Sequence, residues 1–140
     1  MAADPIVGTW RLNVAKSKFG GPFRPRKKLA VVYQERAGQL VGTVTGISED
    51  GSPVLSKYTV PNSGGAVHFS QGAPAGGASV TLSLRREGSH TADWPVAIGG
   101  KVIATMRDVV SSDGKTLTMT ASGNDAQGEP YETFQVFERQ

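Results

Sequence analysis

Apolar and polar residues alternate along most of this chain with a period of two, the spacing of a half-buried strand. In Ser79–Arg86, Val80, Leu82 and Leu84 point one way and Thr81, Ser83 and Arg85 the other. The same alternation predicts a first strand over Val7–Val14, with Gly8, Trp10 and Leu12 on one face and Thr9, Arg11 and Asn13 on the other. Further strands are predicted over Lys28–Arg36, Gln39–Ser48, Val54–Val60, Ala66–Ser70, His90–Ile98, Lys101–Ser111, Thr116–Ser122 and Tyr131–Arg139. Turns separate them at Ala37-Gly38, Glu49–Pro53, Pro61–Gly65, Gly99-Gly100, Asp113-Gly114 and Asp125–Gly128. Asp-Gly between alternating segments is a strong hairpin signal. Gln71–Gly77 is too small and polar to bury much surface. One helical signal is present: Leu12, Ala15 and Phe19 line one side of a single turn, which Gly20-Gly21-Pro22 ends.

Short strands joined by tight turns pair antiparallel with their chain neighbours, and a meander that closes on itself removes both edges. The predicted fold class is all-β, a closed antiparallel up-and-down barrel of about eight to ten strands. The 140 residues are read as a single domain, long enough to bury a core without staples. The 18 glycines and 8 prolines suit the many turns. No cysteine is present, which excludes disulfides and thiolate metal sites. No apolar run approaches the ~20 residues of a membrane-spanning helix. The formal net charge of +3 is mild and spread out, except at Arg24-Pro25-Arg26-Lys27-Lys28. That cluster reads as a solvated loop or as a positive rim that steers an anionic ligand. The basic residues lack the aromatic interleaving of single-strand binders, so no nucleic-acid partner is expected. The opening Met-Ala-Ala-Asp-Pro suits an exported protein without its leader and a cytosolic one equally; the expectation leans to a periplasmic or secreted location.

Both ends of the chain resemble a known superfamily. Ile6-Val7-Gly8-Thr9-Trp10-Arg11-Leu12 is similar to the opening strand of the calycins, the lipocalins and intracellular fatty-acid-binding proteins. Arg107-Asp108-Val109-Val110 with Asp113–Thr120 resembles the penultimate hairpin of the fatty-acid-binding branch, and Val136-Phe137-Glu138-Arg139 its closing strand. The chain also resembles small bacterial lipocalin-like proteins. The resemblance implies that Trp10 lies across the closed end of a barrel and that Arg139 covers its ring. It also implies a small hydrophobic or amphipathic ligand inside. There are departures. Lys16–Lys28 is too short and too rich in Gly and Pro for a helical lid, and Gln135-Val136-Phe137 stands where the fatty-acid-binding branch has Arg-x-Tyr. The glycine-rich extension of the heme-binding branch is absent, so no heme or other cofactor is expected.

Candidate chemistry is sparse. Arg107 and Asp108 are adjacent in Ile103–Val110, apolar on both faces, so one of the pair points inward. A buried charge is costly unless paired. The resemblance places Arg107 inside with Ile103, Thr105 and Val109; alternation places Asp108 with Val102, Ala104, Met106 and Val110. Arg107 inward is the preferred reading, as a ligand anchor or a structural ion pair. Tyr58, Trp94, Met119, Tyr131, Gln135 and Phe137 are further candidate ligand contacts, each with ordinary packing as the alternative. Asp93-Trp94-Pro95 marks a bulge or gap, since proline breaks a ladder. His68, Asp93 and Asp108 are the candidates for acid–base work, and two histidines far apart in sequence predict no metal site. No catalytic signature such as Gly-x-Ser-x-Gly or a phosphate loop is present. The leading expectation is therefore binding of a small hydrophobic molecule in a barrel cavity. The alternatives are a cofactor-independent isomerase, cyclase or lyase using the same cavity, and a barrel filled by its own side chains. Small residues alternating in Leu40–Gly46 favour open volume over the filled barrel.

Overall fold

β-Branched and aromatic residues at alternate positions, cut by glycine turns, fold into strands and turns alone. The computed structural model describes residues 4–20, 26–72, 80–124 and 127–140, and no helix occurs among them. The strands are β1 (Gly8–Lys18), β2 (Arg26–Arg36), β3 (Gln39–Ser48), β4 (Pro53–Pro61), β5 (Gly65–Ala66), β6 (His68–Gln71), β7 (Val80–Glu87), β8 (Thr91–Ile98), β9 (Lys101–Val110), β10 (Thr116–Asn124) and β11 (Pro130–Arg139). They form one antiparallel sheet in the order β5-β7-β8-β9-β10-β11-β1-β2-β3-β4-β6. β2 to β4 and β7 to β11 begin and end close to where alternation places them, because tight turns leave no slack in the register.

β1 pairs with both β2 and β11, so the first and last strands zip together, Trp10 opposite Arg139 and Leu12 opposite Phe137. Residues 65–71 cross the remaining seam. Gly65 and Ala66 pair with Leu84 and Ser83 of β7, the Val67 N–H donates to the Leu82 carbonyl at 2.8 Å, and His68, Phe69 and Gln71 then pair with β4. The expected strand Ala66–Ser70 is thus two short strands, because it serves two edges in turn. The result is a nearly closed up-and-down barrel. The β7–β8 ladder lapses between Leu82↔Val96 and Arg85↔Asp93, where Trp94-Pro95 stands, and the β8–β9 register shifts at Val96/Ala97. This is the irregularity that Pro95, without an N–H, imposes.

The expected helical turn after Leu12 does not form. β1 continues to Lys18, and its register against β11 jumps from Asn13↔Val136 to Lys18↔Phe134. The surplus residues bulge outward, leaving Val14, Ala15 and Lys16 exposed. Ser17 holds the bulge: its hydroxyl donates to the Asn13 carbonyl at 2.7 Å and accepts the Val136 N–H at 3.0 Å.

One end of the barrel is sealed. Trp10 is fully buried and its Nε1–H donates to the Ile6 carbonyl at 2.9 Å. The Arg139 guanidinium lies 4.2 Å from the Trp10 ring centroid and donates to the carbonyls of Gly114 (2.6 Å), Val7 (2.8 Å) and Pro5 (2.5 Å). Ile6, Leu40, Val60, Val110, Leu117 and Phe137 belong to the same buried core as Trp10. Arg86 ties the same end across the seam, donating to Asp4 Oδ1 and Asn62 Oδ1, both at 3.0 Å.

The β2–β3 hairpin turns on Ala37 (φ 51°) and Gly38 (φ 80°), both in the left-handed region. An alanine Cβ in that region costs about 1–2 kcal/mol, and Asn-Gly is the pair this turn prefers. Ala37→Asn is expected to stabilise the protein by about 1 kcal/mol. The check is a higher denaturant midpoint at unchanged slope.

Candidate functional site

The inward phase of each strand is set by closure, and above the plug the inward side chains leave a cavity of ≈ 410 Å³. Its walls are mainly apolar: Leu29 and Val31 from β2, Val44 from β3, Val54 from β4, Phe69 from β6, Leu82 from β7 and Met106 from β9. Leu117, Met119 and Phe137 complete the wall on β10 and β11. Small inward residues do not all create this space. The ring of Tyr58 folds over Gly42, so that a Cβ there would stand 2.4 Å from Tyr58 Cζ, and the Lys28 backbone crowds Gly46. Gly42 is therefore the seat of an aromatic side chain, the device by which a neighbouring ring covers a strand glycine.

Polar groups converge at one place on this wall. β9 places Asp108 inward, 5% exposed, opposite Met119 of β10 and Ala92 of β8. Trp94 Nε1–H donates to Asp108 Oδ2 at 3.0 Å. Tyr58 O–H donates to the Tyr33 hydroxyl at 3.2 Å, and the Tyr33 hydroxyl lies close enough to Asp108 for each to influence the other's ionisation. The rings pack together: Tyr33 and Trp94 stack at 6.2 Å between centroids, Tyr58 meets Trp94 edge-on at 5.9 Å, and Tyr58 meets Phe69 at 5.4 Å. Burial pushes the Asp108 carboxyl up to about 7, and the nearby Asp93 charge pushes the same way; the Trp94 hydrogen bond and the nearby Tyr33 hydroxyl only partly offset this. Burial, then the neighbouring Tyr58 and Asp108, raise the Tyr33 hydroxyl well above the usual tyrosine range. Among the described residues no cationic side chain is ion-paired with Asp108.

The orientation preferred for the Arg107-Asp108 pair is corrected by this arrangement. Arg107 points to the outer surface with its side chain half exposed, and there it clamps Asp93, Nε to Oδ1 at 2.7 Å and Nη2 to Oδ2 at 2.9 Å. Arg107 also reaches Glu87 at 3.3 Å, an exposed pair of little energetic weight. Ile103, Thr105 and Val109 share its outward phase, and Val109 is 40% exposed. The reason is pairing: outside, a guanidinium finds Asp93 across the strand and water, whereas among the described residues the cavity wall offers no carboxylate but Asp108 itself. Asp93 is buried, but beneath Arg107 on the outer face, away from the cavity. His68 is exposed on β6, between the inward Val67 and Phe69. Tyr131 lies beside Gly123, its hydroxyl 3.0 Å from where a Cβ would be, and is not on the cavity wall. Tyr58, Trp94, Met119, Gln135 and Phe137 do line the cavity. Of the basic cluster, Arg26 lines the cavity at the far end of β2 from Tyr33, Lys27 and Lys28 are exposed, and Arg24 and Pro25 lie outside the described residues. So do Ala73–Gly77 and Asp125-Ala126. The residue sequence reasoning passed over is Tyr33. Its signal is its phase: it follows Leu29 and Val31 on the inward face of β2.

No protein-family model matches the chain, and no curated protein sequence matches it. Solved structures match it in shape. Zebrafish ileal bile acid-binding protein, in complex with cholic acid, superposes with a TM-score of 0.58 at 14% identity, over 97% of this chain and 99% of that one. EF1p2_mFAP2b, bound to DFHBI, superposes with a TM-score of 0.53 at 13% identity, over 99% of this chain and 97% of that one. At this identity the likeness is one of fold alone, a nearly closed antiparallel up-and-down β-barrel.

A carboxyl that folds with its pKa raised makes stability fall as pH rises. The folded chain holds the Asp108 proton up to about 7, whereas an unfolded aspartate releases it near ~3.9. The stabilisation is complete below the unfolded value and is lost as pH climbs through the folded one, with an upper bound of about 4 kcal/mol. The amide introduced by Asp108→Asn does not titrate, while Asp93, Tyr33 and Tyr58 around it stay as they are. The stability of wild type relative to Asp108→Asn is therefore expected to fall steadily between about pH 4 and about pH 7 and to level off above about pH 8, read from melting temperatures of both proteins. Parallel curves would refute a raised Asp108.

Proposed function

We propose that the protein binds a small, largely apolar molecule inside its barrel. The observation that carries this reading is the ≈ 410 Å³ cavity, walled by Leu, Val, Met and aromatic side chains and holding one converged polar cluster. Apolar walls with a few placed polar groups are the usual build of a small-molecule site. Two proteins of the same fold are described with a small molecule bound, one with cholic acid and one with DFHBI, which supports the reading by analogy of fold. Tyr58, Trp94, Met119, Gln135 and Phe137 are then contacts of the ligand, together with Tyr33 and Asp108. Arg107, Asp93, His68 and Tyr131 have no part in it.

A second reading is favoured by one observation: Asp108, with its pKa near 7, stands on the cavity wall beside two tyrosines, where a general acid–base would stand. Native mass spectrometry of freshly purified wild type and Asp108→Asn separates the two. A carrier retains the same molecule in both. An enzyme stalled by the substitution retains its substrate where the wild type holds product, told apart by mass for a lyase and by the chromatographic retention of the released molecule for an isomerase or cyclase.

Binding itself is tested with Nile red, an uncharged apolar fluorophore. One equivalent is expected to bind with blue-shifted emission. Met119→Trp, which adds bulk at mid-cavity, is expected to weaken it by about tenfold or more. No blue-shifted emission from wild type would remove the cavity reading.

A further inference from the structure

The polar cluster in the cavity has a sign, and the sign selects a ligand. Asp108 is the acidic group on the cavity wall among the described residues, and the polar groups at its carboxylate, Trp94 Nε1 bonded to it at 3.0 Å and the nearby Tyr33 hydroxyl, are uncharged. A carboxylate has about four acceptor sites, so these neutral groups leave it able to accept more. Among the described residues no cation pairs with it from inside the fold; the guanidinium next to it in sequence is spent on Asp93 outside. Three aromatic rings crowd the same spot, Tyr33, Tyr58 and Trp94, with Trp94 centred 6.2 Å from Tyr33 and 5.9 Å from Tyr58. Ring faces and phenolic oxygens are sources of negative potential, and aromatic rings beside a carboxylate attract organic cations.

Resting on the cavity-binding reading, we propose that the preferred ligand carries a protonated amine on an apolar body, with the ammonium against Asp108 and beside the Tyr33, Tyr58 and Trp94 rings and the apolar body along the Leu, Val and Met walls. An ammonium donates up to three hydrogen bonds and supplies the one thing this cluster lacks, a positive charge. A ligand carboxylate placed there would face a like charge in a medium of low dielectric, which disfavours it strongly. The preference would be local, because the chain as a whole has a formal net charge of +3 and repels cations at long range. Arg26 is the opposing influence. It lines the cavity at the far end of β2, and a carboxylate bound with its tail inward would meet it there.

The test holds the tail constant and changes the head. Decylamine, decanol and decanoate compete against Nile red bound to the full chain at about pH 8, where an alkylamine is protonated and Asp108 ionised. Decylamine is expected to displace the dye at a concentration about tenfold or more below that of decanoate, with decanol between them. In Asp108→Asn, which keeps the shape and removes the charge, the gap between amine and carboxylate is expected to shrink to about threefold or less. Equal or tighter binding of decanoate to wild type overturns the amine preference, and that ranking decides without any variant. An unchanged amine-to-carboxylate ratio in Asp108→Asn overturns the assignment to Asp108. In both cases bound Nile red leaves the cavity reading standing, whereas failure of the dye to bind removes that reading and this one with it.

Discussion

An indole and a guanidinium close this barrel. Trp10 fills the end of the cylinder, and Arg139, from the last strand, lies on its face while bonding three carbonyls on two other segments, Pro5 and Val7 before β1 and Gly114 in the β9–β10 turn. A lysine could not do this, since three fixed donors in one plane are the property of a guanidinium. The contact joins the first strand to the last, and that pairing removes two edges that would otherwise offer unpaired backbone to another chain. It also leaves one end sealed and the interior above it free of the plug, so that cavity and closure have a common cause.

Closure has a second consequence. In a ring of strands each strand has one inner and one outer phase, and a slip of one residue exchanges them all. For most strands here the choice is between an apolar face and a polar one. β9 is the exception, since from Ile103 to Val110 both of its faces are apolar apart from Thr105, Arg107 and Asp108. Its phase is decided by partners on other strands: Asp93 on β8 takes Arg107 on the outside, and Trp94, the next residue, takes Asp108 on the inside. Two neighbouring residues of β8 thus sort two neighbouring residues of β9. The sorting makes this wall of the cavity acidic where the opposite phase would have made it basic.

That explains what was legible in the chain and what was not. Strand positions followed from alternation and from turns such as Asp113-Gly114, whose Gly114 takes φ 73° while Asp113 Oδ1 accepts the Lys115 N–H at 3.0 Å. Trp10 and Arg139 followed from resemblance at the two termini. The phase of β9 did not, because it rests on cross-strand pairs that no local pattern encodes. The same holds for Tyr33 and Tyr58, which meet across 25 positions of sequence because Gly42 between them has no side chain. The bulge after Asn13 imitated a helical turn because Leu12, Ala15 and Phe19 have helical spacing; Ser17 bonding the backbone of both strands won instead.

The central physical claim is that a carboxyl with no counter-ion among the described residues sits inside a largely apolar cavity. Its most direct measurement is the side-chain carboxyl carbon shift of Asp108 against pH, by NMR on the ligand-free protein. A midpoint near 7 is expected from its burial. A midpoint near the ~3.9 of a solvated aspartate would place Asp108 in water or beside a cation and would contradict the site described above.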